Sequence, residues 1–393
     1  MLKPKYQPKL YGTNHISVLP LFIDYHQLEE GLTIQDVRQA HQADLTNQVK
    51  YGVQYLQLWV NEKDAMVFCL IEGPNSEACV KCHLESHGNT PCNIQEVEPG
   101  LFKLFMGDGL PVDDNHMTLT LNGNADPANR IILAVEIQIE RSSSRSVDKL
   151  NIVSTKVKNL AVETITRFNG RFIDYTMEGN LVGVFNSHIN AIRCVRSMQN
   201  LFLKGPRRHG ENNESKIVCR FALYNGQPLT QKGGFFDLAI RQAKRLCMIA
   251  KPSQLVVSAS LKDLLEMEIE ASGVIIPTSV KVLHISDEAF INELFEITER
   301  NLNTGSFNVN NLARLIGASR TQLYRKTTSL TGKSPNSLIK DIRMRKAWNL
   351  LRSKEGNIST VAMQVGYSNP SYFSKTFHKI FGCTPSEVYT KDY

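Results

Sequence analysis

Of the ten histidines in this 393-residue chain, five fall before position 90, among them His26, His41, His83 and His87. His41 and Asp44 are three positions apart and His83 and His87 four apart, so each pair shares a face if its segment is helical. Imidazole and carboxylate at such spacing suit a divalent transition metal, nickel or zinc, and Asp24, Cys79 and Cys82 lie within reach along the sequence. The same residue types also build hydrogen-bonded structural clusters or line a pocket for an organic ligand, and buried cysteines pack as small apolar groups. The candidate metal ligands are therefore His26, His41, Asp44, His83 and His87.

A second kind of chemistry is written twice near the other end. "SRTQLYRKTTSLTGKSP" (Ser319 to Pro335) and "NPSYFSKTFHKIFGCTP" (Asn369 to Pro385) have equal length and lie 50 positions apart. The offset pairs Leu323 with Phe373, Arg325 with Lys375, Leu330 with Ile380, Gly332 with Gly382 and Pro335 with Pro385. Ahead of each runs a short apolar helix pattern ending in glycine, Gly317 or Gly366. Two helices meeting at a glycine turn make a helix-turn-helix, whose second helix can enter the major groove of DNA. "SPNSLIKDIRMRKAWNLLRS" between them reads as one amphipathic helix that would hold the two units at a fixed spacing. Two such helices about 34 Å apart would meet successive turns of one duplex face. Arg320, Arg325, Lys326, Lys375 and Lys379 would supply phosphate attraction or base-edge donors.

Charge agrees with this division. From Arg300 to Tyr393 there are 15 Lys and Arg against 4 Asp and Glu, a net of +11, which leaves −4 for residues 1–299 of a chain whose total is +7. A polyanionic partner, double-stranded DNA, is expected for the last quarter alone. With 42% apolar and 21% charged residues the composition is that of a folded protein. No apolar run approaches the roughly 18 residues of a membrane helix, and "MLKPKYQPKL" is followed by no apolar core of a signal peptide. A cytoplasmic protein without a membrane partner is expected, its eight cysteines reduced or metal-bound rather than paired.

The elements that must position these groups fall into three architectures. "LFIDYH", "YLQLWV", "MVFCLIE" and "NIQEVE" read as strands, with helices at "TIQDVRQAHQADLTNQVKYG" and "NSEACVKCHLESHG", giving a β-α-β-β-α-β order and an α+β ferredoxin-like domain over residues 1–104. Residues 105–128, rich in Gly, Asp, Asn and Pro, read as a linker. Residues 129–286 alternate strands and helices, an α/β domain. Residues 287–393 are all helical, the double helix-turn-helix.

Each part is similar to a known family. "GYSNPSYFSKTFHKIFGCTPSEVY" (Gly366 to Tyr389), with "GASRTQLYRKTTSLTGKSP" before it, resembles the DNA-binding domain of AraC/XylS-type bacterial transcription regulators. The resemblance implies that Thr321, Tyr324 and Arg325 face bases from the first reading helix and Asn369, Ser371 and Lys375 from the second. Arg320, Gln322 and Lys326 complete the set of expected DNA contacts, and RNA polymerase becomes an expected partner. The chain departs from the family at "VYTKDY", where an Arg usually follows the Tyr. "AHQADLTNQVKYGVQYLQLWV" with "FCLIEGPNSEACVKCHLESHG" is similar to small ferredoxin-like proteins, some of them nickel-binding.

"GRFIDYTMEGNLVGVFN" and "CRFALYNGQPLTQKGGFFDLAIRQAKRL" resemble class III nucleotidyl cyclases, which bind two cations through paired aspartates and use an Asn and an Arg of one helix. Glu136 stands at the first aspartate position, Glu178 and Gly179 at the Gly-Asp pair, and Arg241 at the Asn; the Arg is kept as Arg245. Glycine cannot replace a carboxylate in a two-metal site. The expectation is a cyclase-like domain without catalysis, serving to join two copies of the chain as a homodimer or to sense a ligand. The alternative is an active nucleotidyl cyclase fused to a DNA-binding domain.

Overall fold

A computed structural model describes residues 19–29, 31–120, 122–140, 147–173, 180–203, 216–266 and 280–390. The chain divides into two compact units, Met1–Leu101 with Gly109–Pro127, and Phe102–Asp108 with Ala128–Tyr393.

In the first unit the order is β1 (Leu21–Gln27), α1 (Ile34–Tyr51), β2 (Gln54–Asn61), β3 (Met66–Glu72), α2 (Ser76–His87) and β4 (Asn93–Glu96). The antiparallel sheet runs β2-β3-β1-β4. Local signals bound both helices. Thr33 and Asp36 form a capping box at the start of α1, Asn75 caps α2, and Gly52 and Gly88 end the helices in the left-handed region. Val37, Cys79 and Cys82 pack with Phe22, Tyr55 and Cys69 into an apolar cluster between helices and sheet.

The stretch 105–128, expected as a linker, is divided between the units. Residues 109–127 are packed onto the first. Met117 is buried in its core, and Leu58 accepts from Thr118 N at 2.7 Å while its own N–H donates to His116 O at 2.9 Å. Gly, Asn and Pro set the turns of this stretch but do not prevent packing between them. Phe102–Asp108, which contains the end of α3 (Pro99–Met106), joins the second unit. There the Arg171 guanidinium donates to Leu104 O and Phe105 O at 2.8 Å each.

The second unit opens with β5 (Arg130–Glu140), α4 (Val147–Arg167), β6 (Arg171–Ile173), β7 (Asn180–Phe185), α5 (His188–Leu203), β8 (Lys216–Gly226), α6 (Asp237–Ile249), β9 (Leu255–Val257) and β10 (Val280–Val282). The six strands lie in the order β10-β9-β8-β5-β7-β6, antiparallel around β5 and parallel from β8 to β10. Alternation along β5 sends Ile131, Leu133 and Val135 into the cluster with α4 and α5, and leaves Ile132, Ala134 and Glu136 on the opposite face. That face carries α6. A Cβ at Gly226 would lie 2.2 Å from Ala239 Cβ, so glycine is what lets helix and strand approach.

Helices alone follow: α7 (Ile285–Arg300), α8 (Val309–Ile316), α9 (Arg320–Thr331), α10 (Pro335–Arg352), α11 (Ile358–Gln364), α12 (Pro370–Phe381) and α13 (Pro385–Thr390). They share one compact unit with the six-stranded sheet. Lys281 on β10 donates to Leu330 O at 2.6 Å, and Arg345 on α10 pairs with Glu136 on β5.

Candidate nucleic-acid interface and candidate metal centre

The repeat read from sequence is a repeat of caps and turns. Ser319 and Asn369, 50 apart, are the N-caps of α9 and α12; Gly332 and Gly382 are their C-caps at φ of 68° and 70°. Gly317 and Gly366, at φ 72° and 78°, make the turns that precede them. Leu323, Thr327 and Leu330 bury one side of α9; Phe373, Thr376 and Phe377 bury one side of α12. The opposite sides are left to solvent.

On α9 the outward residues are Arg320, Thr321, Tyr324 and Arg325, with Tyr324 56% exposed. Gln322 is also outward, but its Oε1 accepts from Ser319 N at 2.9 Å as half of a capping box, so its oxygen is committed to the helix start. Lys326 differs from the expectation. Its ammonium lies 4.5 Å from the Phe290 ring centroid and 3.9 Å from Asp287 Oδ1, both on α7. The reason is helical phase: position 326 lies on the turn between the buried 323 and 330, so its side chain meets the neighbouring helix.

On α12, Ser371 and Lys375 are exposed. Asn369 is exposed too, but its Oδ1 accepts from Tyr372 N at 3.0 Å, the capping role its partner Ser319 has in the first repeat. Tyr372, 60% exposed on the same outward face, was absent from the sequence reading. Its signal was the Gln322 position of the repeat, which is likewise turned outward.

Four of the five expected metal ligands converge in the first unit. Asp24 on β1 is fully buried and holds His83 Nε2 at 2.7 Å and His26 Nε2 at 3.5 Å through Oδ2. Its Oδ1 accepts from Cys69 N at 2.9 Å. His83, 1% exposed, turns its other nitrogen to Asp44 Oδ2 at 3.2 Å, and His87 Nε2 reaches the same oxygen at 3.4 Å. Two sets of donor atoms lie within 4.8 Å of one another, Asp24, His26, Cys69 and His83, and Asp44, His83 and His87. They share His83.

His41 is the expected ligand that the structure leaves out. It is buried, its ring edges onto Tyr55 and His116, and neither ring nitrogen has a hydrogen-bond partner among the described residues. It shares a face of α1 with Asp44, but its ring is turned to Tyr55 and His116 while Asp44 Oδ2 faces His83 and His87. Asp24 and Cys69 enter instead, because the pairing of Ile23 with Leu70 sets them side by side on adjacent strands. Cys79 and Cys82 are buried free thiols, as are Cys69, Cys194, Cys219 and Cys247.

Electrostatics ties this cluster together. Burial disfavours ionisation of Asp24, but His26 and His83 outweigh it and hold the carboxyl far below its ordinary range. Burial likewise works against Asp44, which hydrogen bonds from His83 and His87 bring down to about 2. His83 would be lowered by burial; Asp24 and Asp44 on its two sides raise it to about 10. His41, with no acceptor, is pushed by burial down to about 4. The arrangement is a buried imidazolium between two carboxylates beside a neutral imidazole.

Residues 312–391 match the family described as "Helix-turn-helix domain", and residues 22–97 the family described as "Nickel responsive protein SCO4226-like". Among curated proteins, "Histidine kinase P4" of Formosa agariphila is 38% identical over 113 residues, 29% of this chain and 8% of that protein. The "Msm operon regulatory protein" of Streptococcus mutans is 30% identical over 102 residues, 26% of this chain and 36% of that protein. The chain thus spans less than two thirds of either relative. The crystal structure of SCO4226 from Streptomyces coelicolor is 36% identical, covering 20% of this chain and 94% of that one, with a TM-score of 0.19. Residues 312–391 are thus similar to a helix-turn-helix domain and residues 22–97 to an SCO4226-like domain.

Proposed function

We propose that the protein is a DNA-binding transcription regulator whose SCO4226-like domain takes up a divalent transition metal. The observation that carries the first part is the pair of capped helices, α9 and α12, each with one side buried and the other presenting Thr321, Tyr324 and Arg325 or Ser371, Tyr372 and Lys375. Exposed Arg, Lys, hydroxyl and aromatic groups on such a helix are the groups that reach base edges and phosphates in the major groove. Thr321, Tyr324, Arg325, Ser371 and Lys375 are assigned to readout, with Arg320 on phosphate. Gln322 and Asn369 primarily fix the helix starts, and Lys326 the contact with α7. Mobility-shift titration of the full chain on genomic fragments, repeated across salt concentrations, tests this. A steep loss of affinity with salt and protection of two adjacent major-groove turns are expected; salt-independent or fragment-independent binding would remove the proposal.

The donor chemistry of the first unit fits nickel or zinc. Asp24, His26, Cys69 and His83, or Asp44, His83 and His87, would hold the ion, and Asp44 Oδ1 has no hydrogen-bond partner among the described residues. The ion would supply a fixed positive charge among two buried carboxylates. A second reading has its own support: both nitrogens of His83 already face carboxylates, a satisfied cluster that needs no metal. Elemental analysis of untagged protein with Ni²⁺ titration separates the two. Stoichiometric binding lost in His83→Ala supports the ion; none supports the cluster.

The middle domain is proposed to connect rather than to catalyse. Glu136, at a cation-binding position of the cyclase resemblance, is engaged by Arg345 and lies 3.7 Å from Arg220. Burial opposes its ionisation, and Arg345 and Arg220 prevail to hold its carboxyl below the ordinary range. Glu178 and Gly179 lie outside the described residues. Incubation with ATP or GTP and Mn²⁺ should yield no cyclic nucleotide.

A further inference from the structure

A cleft of about 430 Å³ opens between α6, beneath the six-stranded sheet, and α7 and α10 of the helical region. Five cations line it, Arg241, Lys244 and Arg245 from α6 and Arg345 and Lys346 from α10, against the carboxylates Asp237 and Glu299. Two of the five are already tied down: Arg245 Nη2 donates to Glu299 at 2.7 Å, and Arg345 pairs with Glu136. Arg241 and Lys346 are exposed and have no ion-pair partner among the described residues.

The decisive group is Arg245. Its side chain is 3% exposed, and it spreads five donor positions in one plane. Nε and Nη1 donate to no acceptor among the described residues, since Glu296 stands 3.6 Å from Nη1, outside hydrogen-bond range. Glu299 and Glu296 compensate the charge of Arg245 and the Phe295 ring centroid lies 5.7 Å from Cζ, yet Nε and Nη1 keep unused donors, which is costly in a folded protein. The unused donors belong to a residue that lines an open, cation-rich cleft. Guanidinium forks match the paired oxygens of phosphate and carboxylate, and the flanking Arg241 and Lys346 require more than one negative group.

We propose that this cleft is an effector site for a small anion bearing two or more phosphate or carboxylate groups. The anion would engage Arg245 at the floor and Arg241 and Lys346 at the rim. Because α6 packs on the sheet while α10 connects the two reading units, one ligand would touch both the middle domain and the helix that spaces the DNA contacts.

Calorimetric titration of the full chain with pyrophosphate, and separately with citrate, tests the proposal without DNA, so its outcome is independent of promoter binding. One site per chain is expected, with affinity falling at least about tenfold in Arg241→Ala/Lys346→Ala, a loss of about 1.4 kcal/mol. Both positions are exposed, so that variant should keep its unfolding temperature; Arg245→Lys, which keeps the charge and loses the fork, should also weaken binding. Tighter pyrophosphate binding would assign phosphate chemistry to the site, tighter citrate binding carboxylate chemistry. No saturable heat with either anion, or affinities unchanged in both variants, would overturn it.

Discussion

The two candidate sites use charged residues in opposite ways. In the SCO4226-like domain Asp24, Asp44 and His83 are buried and ion-paired with one another. In the helix-turn-helix domain Arg320, Arg325 and Lys375 stand in solvent. A buried pair loses several kcal/mol when one partner is removed, because the other charge is left without compensation. An exposed cation contributes almost nothing to folding and is free to act on a ligand. Stability and function are therefore expected to separate along the chain: changes at the first site are read by unfolding, changes at the second by affinity.

The largest effect should come from Asp24→Ala. It leaves His83 charged beside one carboxylate and removes the acceptor for Cys69 N, a cost of about 3–5 kcal/mol in urea unfolding of the first unit. A loss below about 1 kcal/mol would show that the cluster relaxes and that the two sites do not differ in this way. Titration should reveal the same cluster. His41 is held at about 4, below an unfolded value of 6.5, so the unfolded chain binds the proton first and stability falls as pH drops from 6.5 toward 4. His83 is raised to about 10, so its contribution is complete below 6.5 and is lost as pH climbs toward 10. The first unit should be most stable near pH 6.5, and His41→Asn should flatten the acid limb, measured by unfolding midpoints across pH.

Gly366→Ala carries a structural cost inside the reading domain. Its φ is 78°, and the added Cβ would meet Leu302 O at 2.6 Å, so a loss of about 1–3 kcal/mol in stability is expected. Arg325→Ala and Lys375→Ala should each reduce DNA affinity by about 1–3 kcal/mol with unfolding midpoints nearly unchanged. Equal loss on random DNA would reassign them to phosphate. Smallest is Lys326→Ala, a neighbour of Arg325 in sequence that faces α7. It should leave DNA affinity within about twofold of the parent and cost about 0.5 kcal/mol of stability; a large affinity loss would return it to the interface.

Much of the reading domain was legible because its signals are local. Caps, left-handed glycines and apolar phase act within one or two turns of helix, and the 50-residue offset repeats them. Helical phase also decides Lys326, but only once α7 is known to lie beside it. The metal candidates were legible in part. Short spacing brought His83 and His87 together, while His41, on the same helix face as Asp44, packs against Tyr55 and His116 instead. Cys69 gave no sign of itself, since it is set beside Asp24 by strand pairing across 45 residues.

By itself, the sequence determined where helices start and stop, the alternation of buried and outward positions along them, and the concentration of positive charge in the last quarter. All of these follow from backbone geometry and solvation over a few residues. Only tertiary structure decided which donors meet around Asp24, that residues 109–127 close on the first unit, and that Glu136 faces Arg345 rather than an open site. Those are contacts between segments far apart in the chain, fixed by strand register and packing, which no local pattern encodes.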